Sequence, residues 1–146
     1  MYKRLELHNH TNESDAVFTC KELTDFMVAD QVDAFALTDH NTISGHCKIK
    51  NYLKEHPQPI DFIPGMEYTT YYGHILCLNL TEYVPWENIN RHKPELLFRA
   101  ARKKGALVGV AHPYSFGWPF AQGCRFEMTI TCLLYTSDAA DEARSV

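Results

Sequence analysis

The sequence predicts an α/β fold built on a largely parallel sheet or barrel. Apolar runs typical of buried strands alternate with segments of helical periodicity, in the order strand, helix, strand, helix, strand, strand, helix, strand. Histidine and acidic residues stand where several of these strands end. Because functional groups in parallel α/β folds gather beyond the carboxyl ends of the strands, one site at that edge is expected.

The first three elements have distinct local signals. A short alternating run predicts a strand over residues 3–8, and a continuous apolar run predicts a buried parallel strand over residues 33–38. Between them a helix is expected to begin at Thr19, because Thr19 and Glu22 have the spacing of a capping box.

The remaining elements follow in the same way. A helix over residues 44–56 is ended by two prolines, and a helix over residues 94–104 is ended by Gly105. The predicted strands of this half, separated in one place by a turn at residues 71–73, are 61–67, 74–80 and 106–111.

Bulk composition narrows the class of protein. The chain has 146 residues, of which 45% are hydrophobic, which is enough for one domain or part of a larger one. The net charge of −4 and the lack of a basic face argue against nucleic acid as a partner. Five cysteines, an odd number with no Cys-x-x-Cys pair, indicate a reduced protein. With no signal peptide and no apolar run near the ~20 residues of a membrane span, a cytoplasmic location without membrane contact is expected.

His8 and His10 are the first candidate metal ligands. Side chains two apart on an extended chain share a face, and Asp15 can fold back towards them. Such nitrogen and oxygen donors suit zinc, manganese or iron. The alternative for this short pattern alone is a pair of surface histidines near the chain terminus.

Other candidate ligands lie at the ends of later strands and favour the metal interpretation. His74 begins a strand, and the turn before it can bring it towards Glu67. Scattered surface or core histidines would not line up with strand ends in this way. The residues at or just after carboxyl ends of strands are Asp15, His40, Glu67 and His112.

The remaining reactive side chains are given structural roles. His46, His56 and His92 are predicted to face solvent, and Cys47 is predicted to lie on a helix face without a catalytic role. No Gly-x-Ser-x-Gly motif and no glycine-rich phosphate loop are present, so neither a serine nucleophile nor a nucleoside triphosphate cofactor is expected.

These motifs together resemble the polymerase-and-histidinol-phosphatase (PHP) domain family over residues 5–115. The wording of residues 67–74 looks closest to a branch that includes carbaryl-hydrolase-like proteins. The motifs that carry the resemblance are Leu7-His8-Asn9-His10-Thr11 with Ser14-Asp15, Leu37-Thr38-Asp39-His40-Asn41, Gly65-Met66-Glu67 with Gly73-His74-Ile75-Leu76, and Ala111-His112-Pro113.

The resemblance implies a distorted, TIM-like barrel of seven β/α units with two or three divalent ions (zinc, manganese or iron) in its mouth. It implies catalytic roles for Asp15, His40, Glu67 and His112. It assigns one ion to His8, His10 and Glu67, a second to Glu67 with His74 and His112, and a third to Asp15 with His40. Asp39 is expected to orient His40 or a ligand water.

The resemblance also implies that the C-terminal strands are missing. The family completes its cluster with a late Asp-x-His motif, and no histidine follows His112. Residues from Cys132 onwards resemble a translated sequencing adapter. We therefore expect a partial PHP domain over residues 1–131, a non-native tail over residues 132–146, and a fragment that is inactive and poorly soluble. The alternative is a genuine tail with a helix over residues 138–144.

The function implied is a metal-dependent hydrolase, foremost a phosphoesterase that uses a metal-activated water on a small phosphorylated substrate. The same metals could instead serve hydrolysis of an ester, carbamate or amide. A third alternative is a non-catalytic PHP module, although every ligand expected before residue 115 is present. The sequence does not specify the substrate or the oligomeric state.

Overall fold

The computed structural model describes residues 2–70, 73–85, 93–112 and 136–137. Within these ranges the chain forms helices α1 to α3 and strands β1 to β6. The helices are α1 Cys20–Ala29, α2 Ser44–Glu55 and α3 Pro94–Lys103. The strands are β1 Leu5–Glu6, β2 Ala34–Leu37, β3 Asp61–Thr70, β4 Gly73–Leu78, β5 Leu107–Ala111 and β6 Thr136–Ser137.

The strands form one sheet in the order in which they occur along the chain. The pairs β1–β2, β2–β3 and β5–β6 are parallel, whereas β4 runs antiparallel to both β3 and β5. Strand β4 is therefore the exception to the predicted, largely parallel arrangement. Only residues 71 and 72 separate β3 from β4, and a parallel connection needs a crossover of a dozen residues or more.

Local signals in the sequence account for the start of α1 and for the burial of β2. The capping box is confirmed, since the Thr19 hydroxyl accepts a hydrogen bond from the Glu22 amide and the Glu22 carboxylate accepts one from the Thr19 amide. Every residue of β2 is buried, as the continuous apolar run predicts. Three helices lie in the described part of the chain, and none has the length and apolar character needed to cross a bilayer.

Two apolar clusters hold the helices against one face of the sheet. One joins α1 and α2 to β2 through residues such as Leu23, Phe35 and Ile49, and the other joins α3 to β3, β4 and β5 through residues such as Met66 and Leu97. A third, smaller cluster contains Ala36, Leu76, Leu78 and Ala111, which alternate along their strands with residues of the first two. Because alternate residues of a strand face opposite sides, this third cluster marks the face that carries the site.

His46 differs from its predicted solvent-facing position. It is 5% exposed on α2, and its Nε2 lies 2.8 Å from the Gly65 carbonyl oxygen of β3. The helix turns this face towards the sheet, where the imidazole satisfies a backbone group instead of water. His56 is exposed as predicted, Cys47 lies exposed on α2, and His92 falls outside the described residues.

Burial of His46 predicts that acid destabilises the protein. Burial lowers the pKa of His46 from its ordinary value of 6.5, against a weaker opposing effect of the Gly65 hydrogen bond. The unfolded state then binds the proton more tightly, so the contribution to stability is full above pH 6.5 and is lost as the pH falls below it. We expect urea unfolding of His46→Gln to depend less on pH between 7.5 and 5.5 than that of the wild type. The slopes of the unfolding free energy against pH should differ between the two proteins by at most about 1.4 kcal/mol per pH unit.

Glutamine at this position can still donate a hydrogen bond to Gly65. His56→Gln, which removes an exposed imidazole at the end of α2, is the matched control. Equal pH dependence in His46→Gln and the wild type would contradict the assignment.

Candidate metal centre

The loop after β1 delivers His8 and His10 to the same point. Their ring centroids are 5.1 Å apart, and both side chains turn towards Glu67. Asn9, between them, points the other way and donates hydrogen bonds from its amide to the carbonyls of Glu6 and Ala36. This alternation is the one expected of an extended segment, and the Asn9 bonds attach the loop to β2.

Glu67 is the centre of the cluster. It is fully buried near the end of β3, and both carboxylate oxygens face imidazole nitrogens. Oε2 lies 2.9 Å from His8 Nε2 and 3.0 Å from His10 Nε2. Oε1 lies 2.8 Å from His74 Nδ1 and 3.0 Å from His112 Nε2. One carboxylate is therefore surrounded by four imidazoles from three segments of the chain.

His74 reaches this point because β4 runs backwards. In the β3–β4 register Thr69 stands opposite His74 and Glu67 stands opposite Leu76. Since His74 and Leu76 share a face, Glu67 and His74 are diagonal neighbours on that face. The start of an antiparallel strand thus lies at the same edge as the ends of β1 and β2, where the other donors are.

Asp15 and His40 form the outer side of the cluster. Asp15 Oδ2 lies 3.6 Å from His40 Nε2, and Asp15 Oδ1 lies 3.7 Å from His10 Nδ1. His40 Nε2 is also 3.6 Å from Glu67 Oε2. The Asp15 side chain is 48% exposed, whereas that of Glu67 is 1% exposed, so Asp15 is the carboxylate that solvent reaches. The structure brings together all seven residues that the sequence nominates as ligands.

Asp39 contacts the loop that follows His10. Its carboxylate accepts hydrogen bonds from the Thr11 amide at 2.7 Å, the Thr11 hydroxyl at 2.6 Å and the Ser14 hydroxyl at 2.6 Å. It therefore holds the loop between His10 and Asp15. Its predicted effect on His40 or a ligand water stays a prediction. Charge-assisted bonds of this kind are short because the acceptor is ionised. Thr11 and Ser14 were not singled out from the sequence, although they belong to the first motif.

Asp39→Ala is expected to destabilise the fold by about 1.5–3 kcal/mol, because it leaves buried donors of Thr11 without their charged acceptor. Chemical unfolding measures this difference. Asp61→Ala, which removes an exposed carboxylate at the start of β3, should stay within about 0.5 kcal/mol of the wild type. Equal stability of the two variants would refute the role of Asp39 in holding the loop.

The electrostatics of the cluster favour an ionised Glu67 carboxylate and a neutral His40 imidazole. Burial of Glu67 opposes its ionisation, but hydrogen bonds from His10, His112, His74 and His8 outweigh burial and hold its pKa well below the usual range. Burial lowers the pKa of His40 to about 4. An ionised carboxylate and a neutral imidazole are the forms that bind divalent metals.

The donors fit divalent metal ions. Three groups of side chains each bring three ligand atoms within 4.8 Å of one another: His8 with His10 and Glu67, His10 with Asp15 and His40, and His40 with Glu67 and His74. The first group is the set predicted for one ion, whereas the other two combine the donors differently from the prediction.

Two further observations support this fit. Metal–nitrogen and metal–oxygen bonds near 2.1 Å put neighbouring ligands about 3.0–3.4 Å apart, which is close to the separations around Glu67. Buried nitrogens of His8 and His74 also have no hydrogen-bond partner among the described residues, so these imidazoles retain unused polar capacity.

Comparisons with known proteins place the chain among relatives of several kinds. It is 28% identical over 123 residues to an uncharacterized protein of Methanocaldococcus jannaschii, covering 77% of this chain and 68% of that protein. It is 30% identical over 116 residues to the 5'-3' exoribonuclease Rnm of Escherichia coli, covering 72% of this chain but only 40% of that enzyme. The chain thus spans less than half of this exoribonuclease.

Solved structures share the fold. A two-domain protein of Bacteroides vulgatus, which contains a predicted PHP-like metal-dependent phosphoesterase, superposes with a TM-score of 0.67 at 22% identity, covering 80% of this chain and 39% of that one. An amidohydrolase of Chromobacterium violaceum superposes with a TM-score of 0.58 at 16% identity, covering 75% and 67%. At these identities the likeness concerns the α/β fold, which is consistent with part of a PHP barrel.

The family model of the PHP domain matches residues 6–112, from the end of β1 to the last histidine of the cluster. That range contains every donor described above and most of the chain. This protein belongs to the PHP domain family.

Proposed function

We propose that the protein is a metal-dependent phosphoesterase. The observation that carries the proposal is the buried Glu67 carboxylate, which lies within 3.6 Å of nitrogens of five histidines. A fully buried carboxylate shared by so many imidazoles has no comparable structural purpose in a small domain, where buried charges are expensive. Membership of the PHP family agrees with this proposal.

In this proposal two or three divalent ions (zinc, manganese or iron) are held by His8, His10, Asp15, His40, Glu67, His74 and His112. Bound ions of this class lower the pKa of a water molecule and neutralise charge on a phosphoryl group. Glu67 and the buried histidines His8, His74 and His112 would hold the ions. Because these side chains are buried, they also exclude bulk water. Because Asp15 lies at the outer side of the cluster and its side chain is half exposed, its carboxylate is the group placed to hold a proton during hydrolysis.

RNA ends are the first phosphodiester substrate to test. The relatives named 5'-3' exoribonucleases match over half or more of this chain, and one from Haemophilus influenzae is 35% identical over 89 residues, covering 58% of this chain and 32% of that enzyme. The net charge of −4 favours a short substrate held at the cluster over a long nucleic acid held by surface charge. A small phosphorylated molecule fits the same argument.

An assay of bond type tests the proposal. The protein is incubated with manganese or zinc and given p-nitrophenyl phosphate, a 5'-phosphorylated oligoribonucleotide, or p-nitrophenyl acetate. Metal-dependent hydrolysis of either phosphate substrate, abolished by a chelator, supports a phosphoesterase. Turnover of the acetate alone would favour the alternative of ester, carbamate or amide hydrolysis. Metal binding without turnover of any substrate would favour a non-catalytic module.

The extent of the domain is part of the same proposal. We propose that residues 1–131 are a partial PHP domain of the seven-unit barrel type and that residues 132–146 are non-native. The pairing of Thr136–Ser137 with β5 is compatible with a short foreign strand adding to a free sheet edge. The gene read without interruption past codon 131 tests this, and its product should be assayed beside the 146-residue chain. A product with the same last residues would refute the proposed boundary.

A further inference from the structure

His40 has a partner on the side of its ring that faces away from the carboxylates. Its Nδ1 lies 3.2 Å from the hydroxyl oxygen of Thr69, while its Nε2 faces Asp15 and Glu67 at 3.6 Å each. The Thr69 contact is within hydrogen-bond range, and the two carboxylate contacts are too long to be good hydrogen bonds. The two nitrogens of this ring are therefore in different environments.

Thr69 is held in place by its own backbone. Its amide donates a hydrogen bond to Asn41 Oδ1 at 2.9 Å, and the Asn41 amide donates to the Glu67 carbonyl at 3.0 Å. Asn41 has a φ of 54°, a conformation that asparagine tolerates better than most residues. The end of β3 and the turn after His40 are thus joined by one backbone–side-chain and one backbone–backbone hydrogen bond, so the Thr69 backbone is positioned independently of the contact with His40.

This arrangement suits the tautomer of the neutral imidazole that can bind a metal through Nε2. A neutral ring carries one N–H, and only the other nitrogen has a lone pair for a metal. If the proton is on Nδ1, it is donated to the Thr69 hydroxyl oxygen and Nε2 presents its lone pair to the cluster. If it is on Nε2, the Thr69 hydroxyl donates to Nδ1 instead, the Nε2 proton meets only the two long carboxylate contacts, and Nε2 cannot bind a metal. Only the first state combines the Thr69 hydrogen bond with a lone pair that a metal can take.

We infer that Thr69 is a positioning residue that holds His40 with its proton on Nδ1, leaving Nε2 free to bind a metal ion. The inference rests on the proposed metal function. The corresponding nitrogens of His8 and His74 have no hydrogen-bond partner in the described part of the chain, so a positioning hydroxyl is not a general feature of the cluster. Partners of this kind orient ligand rings and raise their basicity.

Two readouts on the 146-residue chain test the inference. Long-range ¹⁵N–¹H correlation spectra of the metal-free protein at pH 8 report the tautomer of His40 directly, and titration with Zn²⁺ against a competing chelator reports affinity. The wild type is expected to show the proton on Nδ1. Thr69→Val keeps the shape and the backbone bond to Asn41 but lacks the hydroxyl; it should show a mixture of tautomers and bind Zn²⁺ roughly 10–100-fold more weakly.

Matched variants separate this role from general packing. Thr69→Ser retains the hydroxyl and should restore both the tautomer and the affinity. Thr24→Val removes a buried hydroxyl that, among the described residues, donates to the Cys20 carbonyl within α1, and it should leave both readouts as in the wild type. Loss of affinity in Thr24→Val equal to that in Thr69→Val would overturn the inference.

The outcomes distinguish this inference from the proposed function. A wild-type His40 with its proton on Nε2 overturns the inference without any variant. Wild-type binding of Zn²⁺ with unchanged tautomer and affinity in Thr69→Val also overturns it and leaves the proposed function intact. If the wild type binds no Zn²⁺, the proposed metal function fails and the inference that rests on it fails as well, whatever tautomer is observed.

Discussion

Glu67→Gln is expected to reduce metal affinity and metal-dependent phosphatase activity by more than about 100-fold, which is the upper end for loss of a group that acts one step removed from a metal. Glutamine has nearly the same shape, but it is neutral and presents an NH₂ group where one carboxylate oxygen stands. Both oxygens of Glu67 face imidazole nitrogens. In Glu67→Gln the NH₂ group therefore replaces an acceptor at one of these two sets of contacts, and two hydrogen-bond donors face each other there.

Metal content by elemental analysis and phosphate release measure the effect of Glu67→Gln, and circular dichroism checks that the variant is folded. Glu55→Gln, an exposed glutamate at the end of α2, is the matched control and should behave as the wild type. If Glu67→Gln and Glu55→Gln have equal metal content and activity, the central role of Glu67 is wrong.

His10→Ala is expected to lower metal content to background. His10 belongs to two of the three candidate groups, one with His8 and Glu67 and one with Asp15 and His40. Its removal therefore takes a donor from both at once, leaving only two protein donors in each. Because the His10 side chain is 12% exposed and lies beside the half-exposed Asp15, the space it leaves can fill with water. The free energy of unfolding should therefore change little, whereas the metal content should be lost.

Elemental analysis after purification in zinc or manganese measures the effect of His10→Ala in the protein read from the uninterrupted gene. His56→Ala removes an exposed histidine that stacks on Tyr52 and should retain wild-type metal content. Unchanged metal content in His10→Ala would refute its assignment as a ligand. Loss of metal in both variants would point to a general effect of histidine removal.

Signals that depend on neighbours in sequence were sufficient for most elements of the fold. The capping box at Thr19 and the apolar run of β2 act within a few residues, so the sequence reveals them directly. The direction of β4 depends on how its edge pairs with β3 and β5, which the run of apolar residues alone does not determine. Even so, the short turn before His74 correctly indicated that His74 comes close to Glu67.

The ligand candidates could be nominated because histidine and carboxylate at strand ends are a chemical signal. The residues that hold them were harder to find, since threonine, serine and asparagine are common in loops for many reasons. One signal in the sequence points to Thr69. It stands two residues beyond Glu67 on the same strand and therefore shares a face with Glu67. The prediction that His46 faces solvent is wrong because its burial comes from the packing of α2 on β3, which the sequence near His46 does not show.

The antiparallel β3–β4 hairpin makes the spacing between its strands as important as the identity of their side chains. Adding or deleting one residue in the connection would shift the pairing by one step and turn His74 to the opposite surface of the sheet. The cluster would then lose an imidazole although every histidine was still present. Insertions in this connection should therefore be tolerated only where the pairing of Thr69 with His74 survives them.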